Sequence, residues 1–330
     1  MICPKCHGTG RTTFAYTVKY KVEFRCDYDG CVNGIVHCCD GVQAQPEMDE
    51  AKDGDMAKVL SAAQIKAYHD DGFLTPFDLY SADEAAQLSA NFEALEAAIG
   101  SEPQERFRIK AHLPFPWLCN VVRQPRLLDA VEELIGPDIL CWGSSFFAKK
   151  PNDPHYVSWH TDSFFYGFEP AETLTAWLAF HQSTVESGCV RYIPASHKII
   201  TAHEIKPDAL NLLPMGQNAI IPLENKAVDA VLAPGQVVFH HEKVVHGSGP
   251  NNADHPRVGL SIHYVAPHVR ETRFEGSTAM LLRGKDKYGY WKPDPEPEMD
   301  FDPICIQAMH DTRTLYLQAT ARKIAAGCRS

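Results

Sequence analysis

The 330-residue chain has no run of about 18 consecutive apolar residues, so it offers no transmembrane helix. Its first residues, Met1-Ile2-Cys3-Pro4-Lys5-Cys6, lack the apolar core of a secretory signal. Basic residues are in deficit. With 31 Lys and Arg against 42 Asp and Glu, the formal net charge is −11, which argues against a nucleic-acid binder, whose affinity comes from clustered cations. No repeat of solenoid period is visible. These absences point to a cytoplasmic globular protein with neither nucleic acid nor membrane as partner, long enough for one large domain or two smaller ones.

What the sequence has in excess is cysteine at one end. Six of its eleven cysteines (Cys3, Cys6, Cys26, Cys31, Cys38 and Cys39) fall within residues 1–41. In a reducing compartment such cysteines are metal ligands more often than disulfides. The Cys3-x2-Cys6 pair followed by His7-Gly8-Thr9-Gly10 resembles the Cys-x-x-Cys-x-Gly-x-Gly unit of the chaperone cysteine-rich zinc region. The β-branched and aromatic run over residues 12–24 predicts one or two strands between the pairs, the layout of a zinc ribbon. The expectation is a structural zinc held by Cys3, Cys6, Cys26 and Cys31. Another set of four from the six cysteines and His37, or a segment disordered without metal, are the alternatives. Residues 1–41 carry a balance of +1, so the acidity belongs to the rest of the chain, at −12.

Residues 42–56 are polar and acidic and read as a linker. Beyond them, Ser61 and Ser81 are N-cap residues for helices over 62–69 and 82–99, ended by Gly72 and Gly100, and a third helix is expected near 126–135 before Gly136-Pro137. From about 140 to 265 short apolar or alternating runs are separated by Pro, Gly, Asn and Asp, which predicts some eight strands of a sandwich or jelly roll. Residues 294–303 form an acidic connector to a helix over 304–326.

The chemistry is concentrated in Ser158-Trp159-His160-Thr161-Asp162. On a strand, residues two apart share a face, so His160 and Asp162 would converge. About 85 residues later come His246-Gly247-Ser248 and then Arg257, on neighbouring strands joined through Gly249-Pro250-Asn251-Asn252. Two histidines and a carboxylate on one face of an octahedral ion leave three positions open, as in non-haem Fe(II) oxygenases. An arginine nearby suits a carboxylate-bearing co-substrate.

These segments, with Leu174 to Phe180 (LTAWLAF) and Glu186 to His197 (ESGCVRYIPASH), resemble the phytanoyl-CoA dioxygenase family of Fe(II)/2-oxoglutarate-dependent oxygenases over roughly residues 57–275. The resemblance implies a double-stranded β-helix, the cupin-like jelly roll, mainly β with flanking helices. It makes His160, Asp162 and His246 the iron ligands and places Arg257 and Ser248 on the far carboxylate of 2-oxoglutarate. Trp177 matches a tryptophan that lines the co-substrate pocket, although a packed core tryptophan is an alternative. Lys149, Ser145 and Phe147 are uncommitted candidates for further contacts. Because Asp162 fills the position that halogenating relatives leave to chloride, the implied reaction is hydroxylation with O2, releasing succinate and CO2. The oxygenase domain is then residues 57–293, with 294–330 a connector and C-terminal helix.

Among the other histidines, His240 and His241 face opposite ways and are expected beside the ligands or in solvent, whereas His181 and His263 follow strands and could reach substrate. Lys149, Lys150 and Arg191 are a candidate basic rim for a small polar or anionic metabolite. The competing class is a non-catalytic jelly-roll scaffold that uses the cysteine-rich segment to dock a protein partner. Such a scaffold has no need of all four of His160, Asp162, His246 and Arg257. A cupin-like metal enzyme independent of 2-oxoglutarate is a third class.

Overall fold

In the computed structural model the described residues are 11–16, 20–25, 31–32, 35–36, 58–100, 103–213, 215–221 and 226–325. The chain divides into two compact units, Met1–Ala57 and Lys58–Ser330. In the first, the strand Arg11–Tyr16 pairs antiparallel with Tyr20–Arg25, and Cys31–Val32 pairs with Ile35–Val36. Cys3, Cys6 and Cys26 lie outside the described residues, as do the Cys31 side chain and the 42–56 linker.

The second unit is built on two sheets. The larger has the order Lys292–Pro293, Thr278–Arg283, Ile139–Lys149, Arg257–Val265, Leu174–Ala179, Gln236–His241, Phe73–Asp78, antiparallel except for its first pair. The smaller has the order Val228–Ala230, Val190–Tyr192, His246–Ser248, Val157–His160 and is wholly antiparallel. Side-chain alternation decides what each face of the large sheet meets. Trp177, Ala179 and Val238 point toward Val190, Tyr192 and Ala230 of the small sheet and form the inner core. Ala176, Leu178, Val237, Phe239, Leu260 and Ile262 point the other way, against Leu88, Phe92, Leu95, Leu118, Leu127 and Val131 of the helices. Burial on both faces explains why every residue of Leu174–Ala179 is buried and why that strand is apolar on both faces apart from Thr175.

The helices begin where their caps require. Ser61 and Ser81 each accept from the third helical amide while Gln64 and Glu84 reach back to the cap amide, and Gly72 and Gly100 close the two helices at positive φ. Several elements go beyond the sequence expectation. Among them are the helices Pro103–Arg106 and Pro116–Val122, each started by a proline, the edge strand Phe73–Asp78, and Thr278–Arg283, which lies one strand in from the opposite edge. The strand expected over 144–148 is the middle of the longer Ile139–Lys149, and the one expected over 219–222 lies earlier, at Gln217–Ala219. The C-terminal helix, Pro303–Ala325, packs Cys305 and Met309 into the main core. The connector before it is anchored by Asp294, whose buried carboxylate pairs with Lys110. Among the described residues no helix is long and apolar enough to cross a membrane.

Candidate active site

His246 and His160 are directly opposite one another on adjacent antiparallel strands, so their side chains stand on one face with ring centroids 4.2 Å apart. Asp162 corrects the strand-face expectation. The strand ends at His160, and Asp162 opens the 3-10 turn Asp162–Phe164, so the turn rather than the two-residue strand period brings the carboxylate round. The turn is held by the backbone: Ser163 N donates to the Glu242 carbonyl at 3.0 Å and Thr161 N to His203 Nε2 at 3.1 Å. His203 accepts because burial pushes it down to about 4 and its Nδ1 donates to the Thr201 carbonyl.

The result is a cluster of electron-rich atoms. His160 Nδ1 donates to the Ser158 carbonyl at 2.9 Å and His246 Nδ1 to the Val244 carbonyl at 3.0 Å. Each ring is thereby fixed in the tautomer whose Nε2 carries a lone pair. Those Nε2 atoms lie 3.6 and 3.9 Å from Asp162 Oδ1. Burial, then the neighbouring His160 and His240, pushes the His246 imidazole well below its ordinary range. Burial alone would raise the Asp162 carboxyl, but the facing imidazoles of His160, His240 and His246 outweigh it and hold it well below the usual carboxylate range. Three acceptors within 4.8 Å of one another, with no hydrogen to share, form a site that a cation completes.

The other oxygen of Asp162 is occupied. His240 Nε2 donates to Oδ2 at 3.3 Å, while its Nδ1 accepts from Tyr192 Oη at 2.9 Å. His263 Nδ1 donates to Thr175 Oγ1 at 3.0 Å, which leaves the Thr175 hydroxyl hydrogen for Asp162 Oδ2 at 3.4 Å. His240 thus orients the carboxylate, and His241 points away toward His197. His203, Thr175 and Tyr192 are positioning residues that sequence spacing did not single out, since each meets the cluster only through tertiary contacts.

Arg257 lies beyond the cluster, 1% exposed. Its guanidinium donates to the Gly188 carbonyl at 2.9 Å and to Ser248 Oγ at 3.3 Å, and its Nε has no partner among the described residues. The guanidinium lies 5.3 Å from the centre of the Trp177 ring. Gly259 makes that arrangement possible, because a Cβ there would come within 2.1 Å of the indole. Trp177 therefore belongs both to the inner core and to the cavity wall. Lys149 Nζ donates to Ser248 Oγ at 2.7 Å and to the Gly249 carbonyl. An orphaned donor on a buried guanidinium beside a hydroxyl and an amine suits a carboxylate.

Both ends open on one cavity of about 710 Å³, whose wall includes His263, Ser145 and Phe147. The basic rim expected of Lys149, Lys150 and Arg191 is not there. Lys149 is buried against Ser248, and Arg191 pairs with Asp229 at 2.7 Å and lies over Trp159 on the far side of its strand. His181 faces Glu93 rather than the cavity.

A family model described as phytanoyl-CoA dioxygenase (PhyH) matches residues 68–259. The chain belongs to the phytanoyl-CoA dioxygenase family. The peroxisomal phytanoyl-CoA dioxygenase of Rattus norvegicus is 26% identical over 246 residues, which cover 67% of this chain and 72% of that protein. A probable alpha-ketoglutarate-dependent hypophosphite dioxygenase of Stutzerimonas stutzeri is 25% identical, covering 63% and 79%. Among solved structures, the non-heme monooxygenase ThoJ in its apo form superposes with a TM-score of 0.70 at 28% identity, covering 80% of this chain and 99% of that one. As a member of the phytanoyl-CoA dioxygenase family, the chain is an Fe(II)/2-oxoglutarate-dependent dioxygenase with the jelly-roll core of that class. Its substrate is a small molecule.

Proposed function

We propose that this dioxygenase hydroxylates an unactivated C–H bond of a small polar or anionic metabolite in the cytoplasm. His160, Asp162 and His246 hold Fe(II), and Arg257, Ser248 and Trp177 form the co-substrate end. The carrying observation is the convergence of two fixed Nε2 lone pairs and one carboxylate oxygen in a cavity that ends on a buried arginine. Bound together, Fe(II), 2-oxoglutarate and O2 supply the oxidising power, with succinate and CO2 as co-products. The chain supplies position and dryness. Ser158 and Val244 carbonyls hold the ligand tautomers, His240 and Thr175 hold Asp162 Oδ2, and Arg257, with Ser248 beside it, receives the far carboxylate. The helix over residues 303–325 works with the 57–293 domain, since one of its faces lines the cavity.

Anaerobic addition of Fe(II) and 2-oxoglutarate should give the metal-to-ligand charge-transfer band, and a succinate-release screen should return a product heavier by one oxygen. A scaffold would give no band, and a metal enzyme of another type would give no dependence on 2-oxoglutarate. Arg257→Ala should raise the 2-oxoglutarate requirement while leaving Fe(II) binding intact.

Lys149 carries a proton-linked prediction. Burial, then nearness to Arg257, pushes it down to about 6, so at about pH 8 it is neutral while the co-substrate end is open. A carboxylate placed against Arg257 and Ser248 favours the charged amine and raises that value. Binding of 2-oxoglutarate at about pH 8 should therefore take up close to one proton, read from the dependence of calorimetric enthalpy on buffer ionisation. At about pH 5, where Nζ is already protonated, the uptake should vanish. Lys149→Met should show none at either pH, and an unchanged uptake in that variant would remove Lys149 from the co-substrate end.

For the cysteine-rich segment we propose a zinc unit, with Cys3, Cys6, Cys26 and Cys31 as ligands, that docks a protein partner. Purified full-length chain should then carry about one zinc, and chelation should unfold the segment without lowering the melting temperature of the oxygenase unit. Absence of zinc from chain purified without chelator would dismiss it.

A further inference from the structure

The outer part of the cavity carries charge that the reaction machinery leaves unused. On the C-terminal helix, Arg313, Tyr316, Leu317 and Thr320 all line the cavity, and their spacing places them on one helical face. This face is tied to the metal cluster by stacked rings. Tyr316 stacks on Trp142 at 5.8 Å, and Trp142 stacks on His263 at 5.0 Å, whose Nδ1 reaches Thr175 beside Asp162. Across the cavity, Arg108 sits in the run that hydrogen-bonds along the Ile139–Lys149 strand through Ile109 and Ala111.

The basic groups of the lining differ in what already satisfies them. Arg257 is committed to the inner end, and Arg273 is chelated by the carboxylate of Glu271 at 2.6 Å. Arg108 and Arg313 make no hydrogen bond or ion pair with another described residue, although Glu105 also lines the cavity near Arg108. Burial and the facing Arg313 both work against the charge on Arg108. Two half-buried guanidiniums that face one another without a shared anion cost free energy, and a low-dielectric cleft focuses their field on whatever enters it. Their planar forks suit a bidentate oxyanion, while Tyr316, Leu317 and Phe165 offer an apolar wall beside it. Arg108 lies within the residues that match the family model and Arg313 beyond them.

We infer that Arg108 and Arg313 form the anion-binding end of the substrate site, taking one carboxylate or phosphate of a substrate whose apolar body lies along Tyr316, Leu317 and Phe165. This names the substrate class within the proposed oxygenase function and rests on it. The test uses the full chain loaded anaerobically with Fe(II) and saturating 2-oxoglutarate, so that the inner end is already filled. Hexanoate, hexyl phosphate and hexanol are titrated in turn by calorimetry. At least one of the two anions should bind at one per chain, and hexanol about tenfold more weakly or not at all. The tighter of the two anions identifies the group. Arg108→Gln and Arg313→Gln should each weaken the anion about tenfold or more, with Arg108→Lys and Arg313→Lys restoring part of the affinity, and the charge control Lys285→Gln should change nothing. The charge-transfer band should persist in every variant, showing that the folded metal and co-substrate sites survive. Anion binding that is unaffected by either glutamine variant, hexanol binding as well as the anions, or no anion binding to the wild type overturns the inference. A missing band in the wild type instead overturns the oxygenase reading, and the titrations still decide the arginine pair.

Discussion

His246→Ala should abolish substrate-dependent succinate release and the charge-transfer band while leaving the fold intact. The expected loss exceeds about a hundredfold, because even groups that only orient a metal ligand cost 10–100-fold when removed. The substitution takes away one of three donors and nothing nearby can replace it. His240 is the closest rival, with its ring centroid 4.5 Å from that of His246. Both its nitrogens are engaged, Nδ1 by Tyr192 Oη and Nε2 by Asp162 Oδ2. Freeing it would release the carboxylate at the same moment. His246 contributes little to the core beyond its stacking on Tyr192, so circular dichroism and the melting temperature should change modestly. The companion variant His240→Ala should fall between, with iron still bound but held less tightly, since it removes only the group that aims Asp162. If His246→Ala retained full succinate release, the ligand assignment would be wrong.

The same cluster shows what a sequence can and cannot reveal here. His160, Asp162, His246 and Arg257 were legible because ligand chemistry restricts residue type and because each half of the set is a local pattern, His160-x-Asp162 and His246 with Arg257 eleven residues on, in segments that resemble those of the family. The supports His203 and Thr175 were not, since they reach the turn or Asp162 itself through contacts 42 and 13 residues apart in sequence that carry no local pattern, whereas His240 was expected beside the ligands or in solvent and holds Asp162 Oδ2. The helix from Ala82 followed from its caps and apolar periodicity, and the one from Pro125 was placed near 126–135 by the Gly136-Pro137 stop. The strand Phe73–Asp78 did not, because its length is only six residues, it contains Pro76, and its strand character comes from pairing with Gln236–His241. The error over the basic rim has a similar origin. Lys149, Lys150 and Arg191 looked exposed because Lys and Arg are rarely buried, yet Lys149 is 1% exposed and the arginines that line the outer cavity come from residues 108, 273 and 313. The C-terminal helix was expected, but only tertiary packing shows that its Arg313 face covers the site.

Lys110→Ala should destabilise the oxygenase unit more than any surface substitution, by about 3–5 kcal/mol, because it leaves an uncompensated charge in the core. Lys110 Nζ donates to Asp294 Oδ2 at 2.6 Å and to the Thr278 carbonyl at 2.9 Å, and both charged side chains are fully buried. Removing the amine strands a carboxylate whose second oxygen already lacks a partner among the described residues. The consequence is directional. Lys110 precedes Ala111, whose amide bonds to Ser144 on the central strand, whereas Asp294 opens the connector to the C-terminal helix, which is held further on by the half-exposed Arg123–Glu296 pair and by Phe301, whose amide donates to the Pro114 carbonyl. Breaking the pair should loosen the connector first and with it the helix that carries Arg313, Tyr316 and Leu317 along the cavity. Thermal unfolding should fall by on the order of 10 °C, and hydrogen exchange should rise earliest over residues 292–325. A Lys110→Met, Asp294→Leu double variant removes both charges and keeps apolar volume, so it should recover most of the lost stability. If the single variant unfolded with unchanged midpoint, the pair would contribute nothing to holding the helix over the site. If the double variant were as unstable as the single one, packing around the lysine stem rather than the stranded charge would be responsible.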